Sequence, residues 1–256
     1  MSSHPDWLVP DWQASGVGAV MTTRLGGASA GPFDSMNLRD GVGDDPRAVA
    51  ANQATLELAI GARPVFMHQV HGAHVVRLHG ADARSDGPVH EADASVTTEP
   101  GVACAVQVAD CLPVLFAAPR GRAVGAAHAG WRGLARGVLE ATVHEVCEAA
   151  NCEPNEVHSW LGACIGPRQF EVGADVLQAF GASATQADAA RFQPHKAGKW
   201  LANLTALARD RLAAAGVAKV SGGHWCTVET PSRFFSYRRD RVTGRMAAMV
   251  WIRRPD

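Results

Sequence analysis

At 256 residues the chain is long enough to bury roughly 70–75% of its extended surface in a core. Its 24 basic and 25 acidic residues leave a net charge of −1, which gives no electrostatic footprint for nucleic acid or an anionic membrane. Small-molecule chemistry is the expected class. The six cysteines are scattered with no CxxC pair, so neither a zinc finger nor a redox motif is indicated. A disulfide scaffold is not expected at this length. The opening residues MSSHPDWLVPDW lack the basic and apolar regions of a secretory signal, and no run approaches the ~20 apolar residues of a membrane span. The expected address is the cytoplasm.

In chain order, GVGAVMTT predicts a first strand and RLGGASAGPF a glycine-rich loop that lacks the lysine of a phosphate loop. A helix is predicted over residues 44–61, with Asp45 as N-cap, Pro46 at the first helical position and Gly61 as the stop. Strand-like runs follow at PVFMHQV, HVVRL, DASVTT, VACAVQVA, PVLFAA and RAVGAAHA. Residues 133–150 carry Leu134, Val138, Val146 and Cys147 near helical spacing. Another strand is predicted at VHSWLGACIG and a short helix at GADVLQAF. The stretch GASATQADAARFQPHKAGK has no strong period and reads as loop or weak helix. NLTALARDRLAAAG predicts a helix ending at Gly216, and RMAAMVWI a last strand. No linker divides the chain. The expectation is one mixed α/β domain over residues 1–256, strands with interspersed helices.

Residues 107–116, QVADCLPVLF, read as a strand buried on both faces, yet Asp110-Cys111 sits in the middle and Pro113 breaks the ladder pattern. A buried carboxylate beside a thiol is costly unless something pairs with it. Metal-type ligands recur in MHQVHGAHV and GAAHAGWRG, and His71, Cys111 and His128 would supply the three donors of a catalytic zinc site with one open position. His68 and His74 are alternatives to His71, and an inert buried cysteine is the plain reading of Cys111. Asp110 would face away from Cys111 on a regular strand, as a group orienting a ligand histidine or moving protons. His68 is a second candidate for proton transfer. HAGWRG places Arg132 at a helix start, and FFSYRRDRVTGR collects Arg238, Arg239, Arg241 and Arg245 around Tyr237. Arginine forks suit phosphate or carboxylate, and aromatic faces suit a planar ring. A surface hairpin with solvated charges and two core phenylalanines is the plain alternative.

Together HQVHG, ADCLPVLF, AAHAGWRG, LGACIGPRQFEVG and FFSYRRDRVTGR resemble the YfiH-type (PgeF or FAMIN-like) family, once called multicopper polyphenol oxidase laccase-domain proteins. The resemblance runs from about Val20 to Ile252. It implies a single α/β domain and a metal site on His71, Cys111 and His128, which would pair the Cys111 thiolate with an ion. It further implies phosphorolysis of adenosine, inosine and methylthioadenosine to base and ribose 1-phosphate, and deamination of adenosine. Zinc is the expected metal and copper the less favoured one. Arg24, Gln69, Arg132 and Arg238 are the expected substrate contacts, with purine nucleosides and phosphate as partners. One departure stands out: the family usually has Asn-Arg in the first helix, and here it is Asn52-Gln53. Rival expectations are a copper-dependent laccase-like oxidase, a metal-free hydrolase using Cys111 and His128, and a peptidoglycan-editing or binding factor without turnover.

Overall fold

Two β-sheets lie face to face, and each has helices on its outer side. The structure, a computed structural model, describes residues 4–84, 86–183, 185 and 188–254. The first sheet has four strands: β1 (Val17–Met21), β2 (Arg63–Val65), β5 (Val102–Val108) and β13 (Met246–Ile252), in the order β1-β13-β5-β2. The second has six: β3 (Val75–Arg77), β4 (Ala94–Thr97), β6 (Leu112–Ala117), β7 (Val124–Ala129), β8 (His158–Leu161) and β12 (Lys219–Gly222), in the order β12-β8-β6-β7-β4-β3. Antiparallel β9 (Glu171–Val172), β10 (Phe192–Lys196) and β11 (Lys199–Ala202) form a small third sheet.

Side-chain alternation explains the layering. Cys104, Val106 and Val108 of β5 and Met246, Ala248 and Val250 of β13 face Leu115, Ala117, Val124 and Ala126 of the second sheet. From the other side of β6, Val114 and Phe116 pack on Val138, Leu139, Val143 and Val146 of α3 (Val138–Ala150) and join Leu207 and Leu212 of α5 (Leu204–Ala214) in one core. The outer face of the four-stranded sheet, Val20, Ala105, Ala247 and Met249, is covered by Leu56 of α1 (Pro46–Ile60) with Met36 and Leu38. Central strands buried on both faces therefore read as unbroken apolar runs.

The helix α1 is capped as expected: the Asp45 side chain accepts from Arg47 N, Pro46 occupies the first turn and Gly61 closes it. Residues 133–150 are not one helix. α2 (Trp131–Ala135) and α3 are separated at Gly137, whose φ of +90° suits glycine, while Leu134 and Val138 both stay in the core and keep the period intact. Of PVFMHQV only the first two residues pair as strand, in β2 (Arg63–Val65); His68 makes an isolated bridge to Glu91. VHSWLGACIG is strand only to Leu161. GADVLQAF forms α4 (Ala174–Ala179). The stretch read as loop or weak helix yields β10; residues 184, 186 and 187 of it lie outside those described, as do residues 1–3 of the stretch read for a signal. FFSYRRDRVTGR is no hairpin: Tyr237–Asp240 forms one helical turn, α6, although Phe234 and Phe235 are core residues. Among the described residues no helix is long and apolar enough to cross a membrane.

Candidate functional site

The stretch around Cys111 is not one strand. β5 belongs to the first sheet and β6 to the second, so Ala109–Cys111 is an arch that carries the chain from one sheet to the other. The turn requires a left-handed residue, and Asp110 takes φ +89°, a conformation Asp adopts more readily than most. Its carboxylate accepts from Thr227 Oγ1 at 2.6 Å and from Arg238 N at 2.6 Å, which latches the arch to the segment carrying α6. Asp110 thus orients no histidine. Pro113 is the second residue of β6, a strand end where a missing N–H is tolerated, and the break falls before it.

His71 sits in the turn after β2 with φ +60°, and His128 is the penultimate residue of β7. Their rings lie edge to face with centroids 4.7 Å apart. His71 Nε2 is 3.7 Å from Cys111 Sγ, and one donor atom from each of the three residues falls within 4.8 Å of the others. Zinc bonds of about 2.0–2.1 Å to nitrogen and 2.3 Å to sulfur at tetrahedral angles place such donors about 3.6 Å apart. The N/S/N set therefore fits a metal ion, and zinc suits its donor chemistry. His74 instead bonds Glu91 O through its ring, and His79 meets Glu99.

Electrostatics agree with this. Burial would raise the Cys111 thiol, but the charge and hydrogen bond of His128, and then those of His71, outweigh it and bring Cys111 down to about 6. His128 moves the opposite way, to about 9: burial lowers it, while Cys111 and Asp93 overcome that. Asp93, fully buried, was missed by sequence reasoning. It stands at the head of DASVTT, where a carboxylate entering a buried strand raises the same question as Asp110. It accepts from His128 Nδ1 at 2.8 Å and from three backbone N–H groups of residues 70–72. Burial works to raise its pKa, yet the bonds from His128 and Gly72 hold it below the ordinary carboxylate value.

His71 and Cys111 line a cavity of about 310 Å³, and the buried His128 ring stands behind them. Trp131, Phe170 and Tyr237 offer aromatic faces; Arg132, Arg238 and Arg241 supply positive charge. Gly130 belongs to the floor: a Cβ there would sit 3.0 Å from both Cys111 Sγ and His71 Cδ2. Arg132 opens the helix α2 as expected. Arg238 Nη1 donates to Gln169 O and Glu171 O, so the guanidinium is held against β9. Arg241 and Tyr237 come from the arginine-rich stretch read as a candidate for anion and ring recognition, whereas Phe170 was not singled out, though it lies in LGACIGPRQFEVG.

Two expected substrate contacts lie outside the cavity wall. Arg24 donates to Asp34 O and Pro231 O and stacks on Phe235, tying two loops together. Gln69 is buried, and its amide exchanges two bonds with the Gln107 backbone, standing in for a strand partner of β5. A larger cleft of about 530 Å³ opens elsewhere, beside Arg39, Gln53 and His68, with none of the three donors. Size therefore does not locate the chemistry, and His68 lines this cleft rather than the cavity of His71 and Cys111. Gln53 in that cleft donates to Leu38 O, and Asn52 bonds Ser29, Ser35 and Asn37 to hold the glycine-rich loop.

Residues 18–253 match the family model for multi-copper polyphenol oxidoreductase laccase. The chain is 48% identical over 247 residues to a purine nucleoside phosphorylase of Pseudomonas aeruginosa, covering 96% of this chain and 98% of that one. It is also 48% identical over 248 residues, with the same coverage, to the purine nucleoside phosphorylase YfiH of Escherichia coli. Among solved structures, a Neisseria meningitidis protein of the family DUF152 superimposes with a TM-score of 0.89 at 44% identity, covering 97% of this chain and all of that one. YlmD from Geobacillus stearothermophilus gives a TM-score of 0.89 at 32% identity, covering 99% and 98%. On the match to the family model and the identity to its relatives, the chain belongs to the YfiH-like family described as multi-copper polyphenol oxidoreductase laccases.

Proposed function

We propose that this protein is a zinc-dependent purine nucleoside phosphorylase that also deaminates adenosine, with adenosine, inosine and methylthioadenosine as substrates. The observation that carries the reading is the convergence of His71, Cys111 and His128, two of which line a cavity walled by aromatic faces and arginines. The names of the relatives, purine nucleoside phosphorylases over nearly the full chain, support the same reading.

In this reading Trp131, Phe170 and Tyr237 take the planar base. Arg132 and Arg241 meet no carboxylate among the described residues, which leaves both guanidinium groups free for phosphate. A phosphate oxygen held there attacks the ribose C1′, the C1′–N9 bond breaks, and its electron pair leaves on the base, which takes a proton. In deamination water adds at C6 of adenine and ammonia departs. His71, Cys111 and His128 would hold a zinc ion, which would supply Lewis acidity. The chain's own contribution is to orient base and phosphate and to exclude water around them.

Copper is the less favoured metal, because a multicopper relay needs several histidine-rich centres. Among the described residues the other grouped donors are His144, Glu145 and Glu148, exposed or half-exposed on α3. One observation favours a second reading: the lowered thiol of Cys111 beside the raised His128 is also the pairing of a nucleophilic cysteine. The test is to incubate purified protein with each nucleoside, with and without phosphate, before and after chelation, and separate the products. Phosphate-dependent base release that is lost on chelation and restored by Zn2+ is expected. Turnover that survives chelation but not thiol alkylation would replace zinc by the cysteine nucleophile. No turnover of any nucleoside would leave a binding role.

A further inference from the structure

The buried carboxylate of Asp93 joins two of the three donor residues, and no step above uses it. Oδ1 accepts from His128 Nδ1 at 2.8 Å and from His71 N at 2.9 Å. Oδ2 accepts from Val70 N at 3.1 Å and from Gly72 N at 2.6 Å. The backbone carbonyl of the same residue accepts from His128 N at 2.7 Å. Two donors on each oxygen fill the acceptor capacity of a carboxylate.

We infer that Asp93 is the positioning residue that assembles the donor set before any metal arrives. The inference rests on the metal reading of the site. The bond from Nδ1 to this carboxylate fixes the His128 ring, so that its other nitrogen is the one left to meet Cys111 and a metal ion. The other three bonds hold the 70–72 turn, in which His71 keeps a left-handed backbone that a non-glycine residue adopts only under constraint. One side chain thus fixes both the ring of His128 and the backbone of His71.

An asparagine at this position cannot do the same. With its oxygen toward His128 and His71, its NH2 faces the N–H groups of Val70 and Gly72. Flipped, its NH2 faces His71 N and forces His128 to accept at Nδ1, which moves the proton to the nitrogen the metal needs. The first arrangement breaks two of the four bonds; the second breaks one and reverses the one that orients His128.

The experiment titrates Zn2+ against a chromophoric chelator in the wild type, Asp93→Asn and Asp82→Asn. Asp82 is the control: it also accepts from a histidine ring and a backbone N–H, but it borders the larger cleft. Asp93→Asn is expected to bind Zn2+ about 10- to 100-fold more weakly, and Asp82→Asn within about twofold of wild type. A folded Asp93→Asn protein with wild-type Zn2+ affinity overturns the inference while leaving the metal reading intact. A wild type that binds no Zn2+ overturns the metal reading and the inference with it. If Asp93→Asn does not fold, the wild type loaded with cadmium-113 decides. Scalar coupling of the ion to His128 Nε2, with a proton on Nδ1, is expected; coupling to Nδ1 refutes the role.

Discussion

Replacing Gly130 by alanine tests the site without disturbing the backbone. Gly130 has φ −59° and ψ 155°, a conformation any residue adopts, so the change carries no conformational penalty. The added Cβ lies 3.0 Å from Cys111 Sγ and from His71 Cδ2. Ordinary carbon contacts optimise near 3.5–4.0 Å, so each neighbour must retreat by roughly 0.5 Å. Because a displacement of about 1 Å can cost some 100-fold in rate, half of that at two donors should cost about 10- to 100-fold in kcat/KM, or ~1.4–2.7 kcal/mol. Global stability should change less. Overpacking costs about 1–3 kcal/mol, and the stiffer unfolded chain returns about 0.4–1. The assay is phosphate-dependent release of base from inosine at saturating Zn2+, with Tm followed in parallel. An alanine variant with wild-type kcat/KM and Zn2+ affinity would refute the reasoning.

Arg132→Ala and Arg241→Ala should each raise KM for phosphate about tenfold or more and leave KM for the nucleoside within twofold; initial rates over a phosphate series check this. Asp110→Ala removes both latching bonds, so KM should rise several-fold with Zn2+ affinity unchanged, whereas loss confined to kcat would return Asp110 to proton transfer. Burial works against ionisation of Asp82, yet bonds from His79 N and His90 hold its carboxyl below the ordinary carboxylate range. A depressed folded pKa adds stability above the unfolded value that is lost as pH falls through the folded one. The stability gap between wild type and Asp82→Asn in urea should therefore be constant above about pH 5 and narrow below about pH 4.

The central strands were legible because strands buried on both faces are written as Val, Ala, Leu and Phe, but their division between two sheets at Ala109–Cys111 was not. The small third sheet was not, since Gln193–Lys196 of β10 point to solvent and give no period. The break between α2 and α3 was masked because Leu134 and Val138 both belong to the core. The three donors were visible as candidates, but their meeting was not, because each comes from a different element and only the fold brings them within reach. Asp93 was hidden by its place at the head of a strand-like run, where an acidic residue reads as a boundary. Gln69 and Arg24 misled for the opposite reason: polar residues beside a site motif were serving backbone groups.

β13 lies inside the four-stranded sheet, between β1 and β5, although nearly the whole sequence separates it from β1. During translation every metal donor and the entire six-stranded sheet leave the ribosome before Met246–Ile252 does. A nascent chain at that stage shows a bare strand edge and the uncovered flank of Cys104 and Val106, which invites pairing with other chains. Long-range closure of this kind slows folding, so expression yield should depend on chaperone supply more than the stability of the finished molecule suggests.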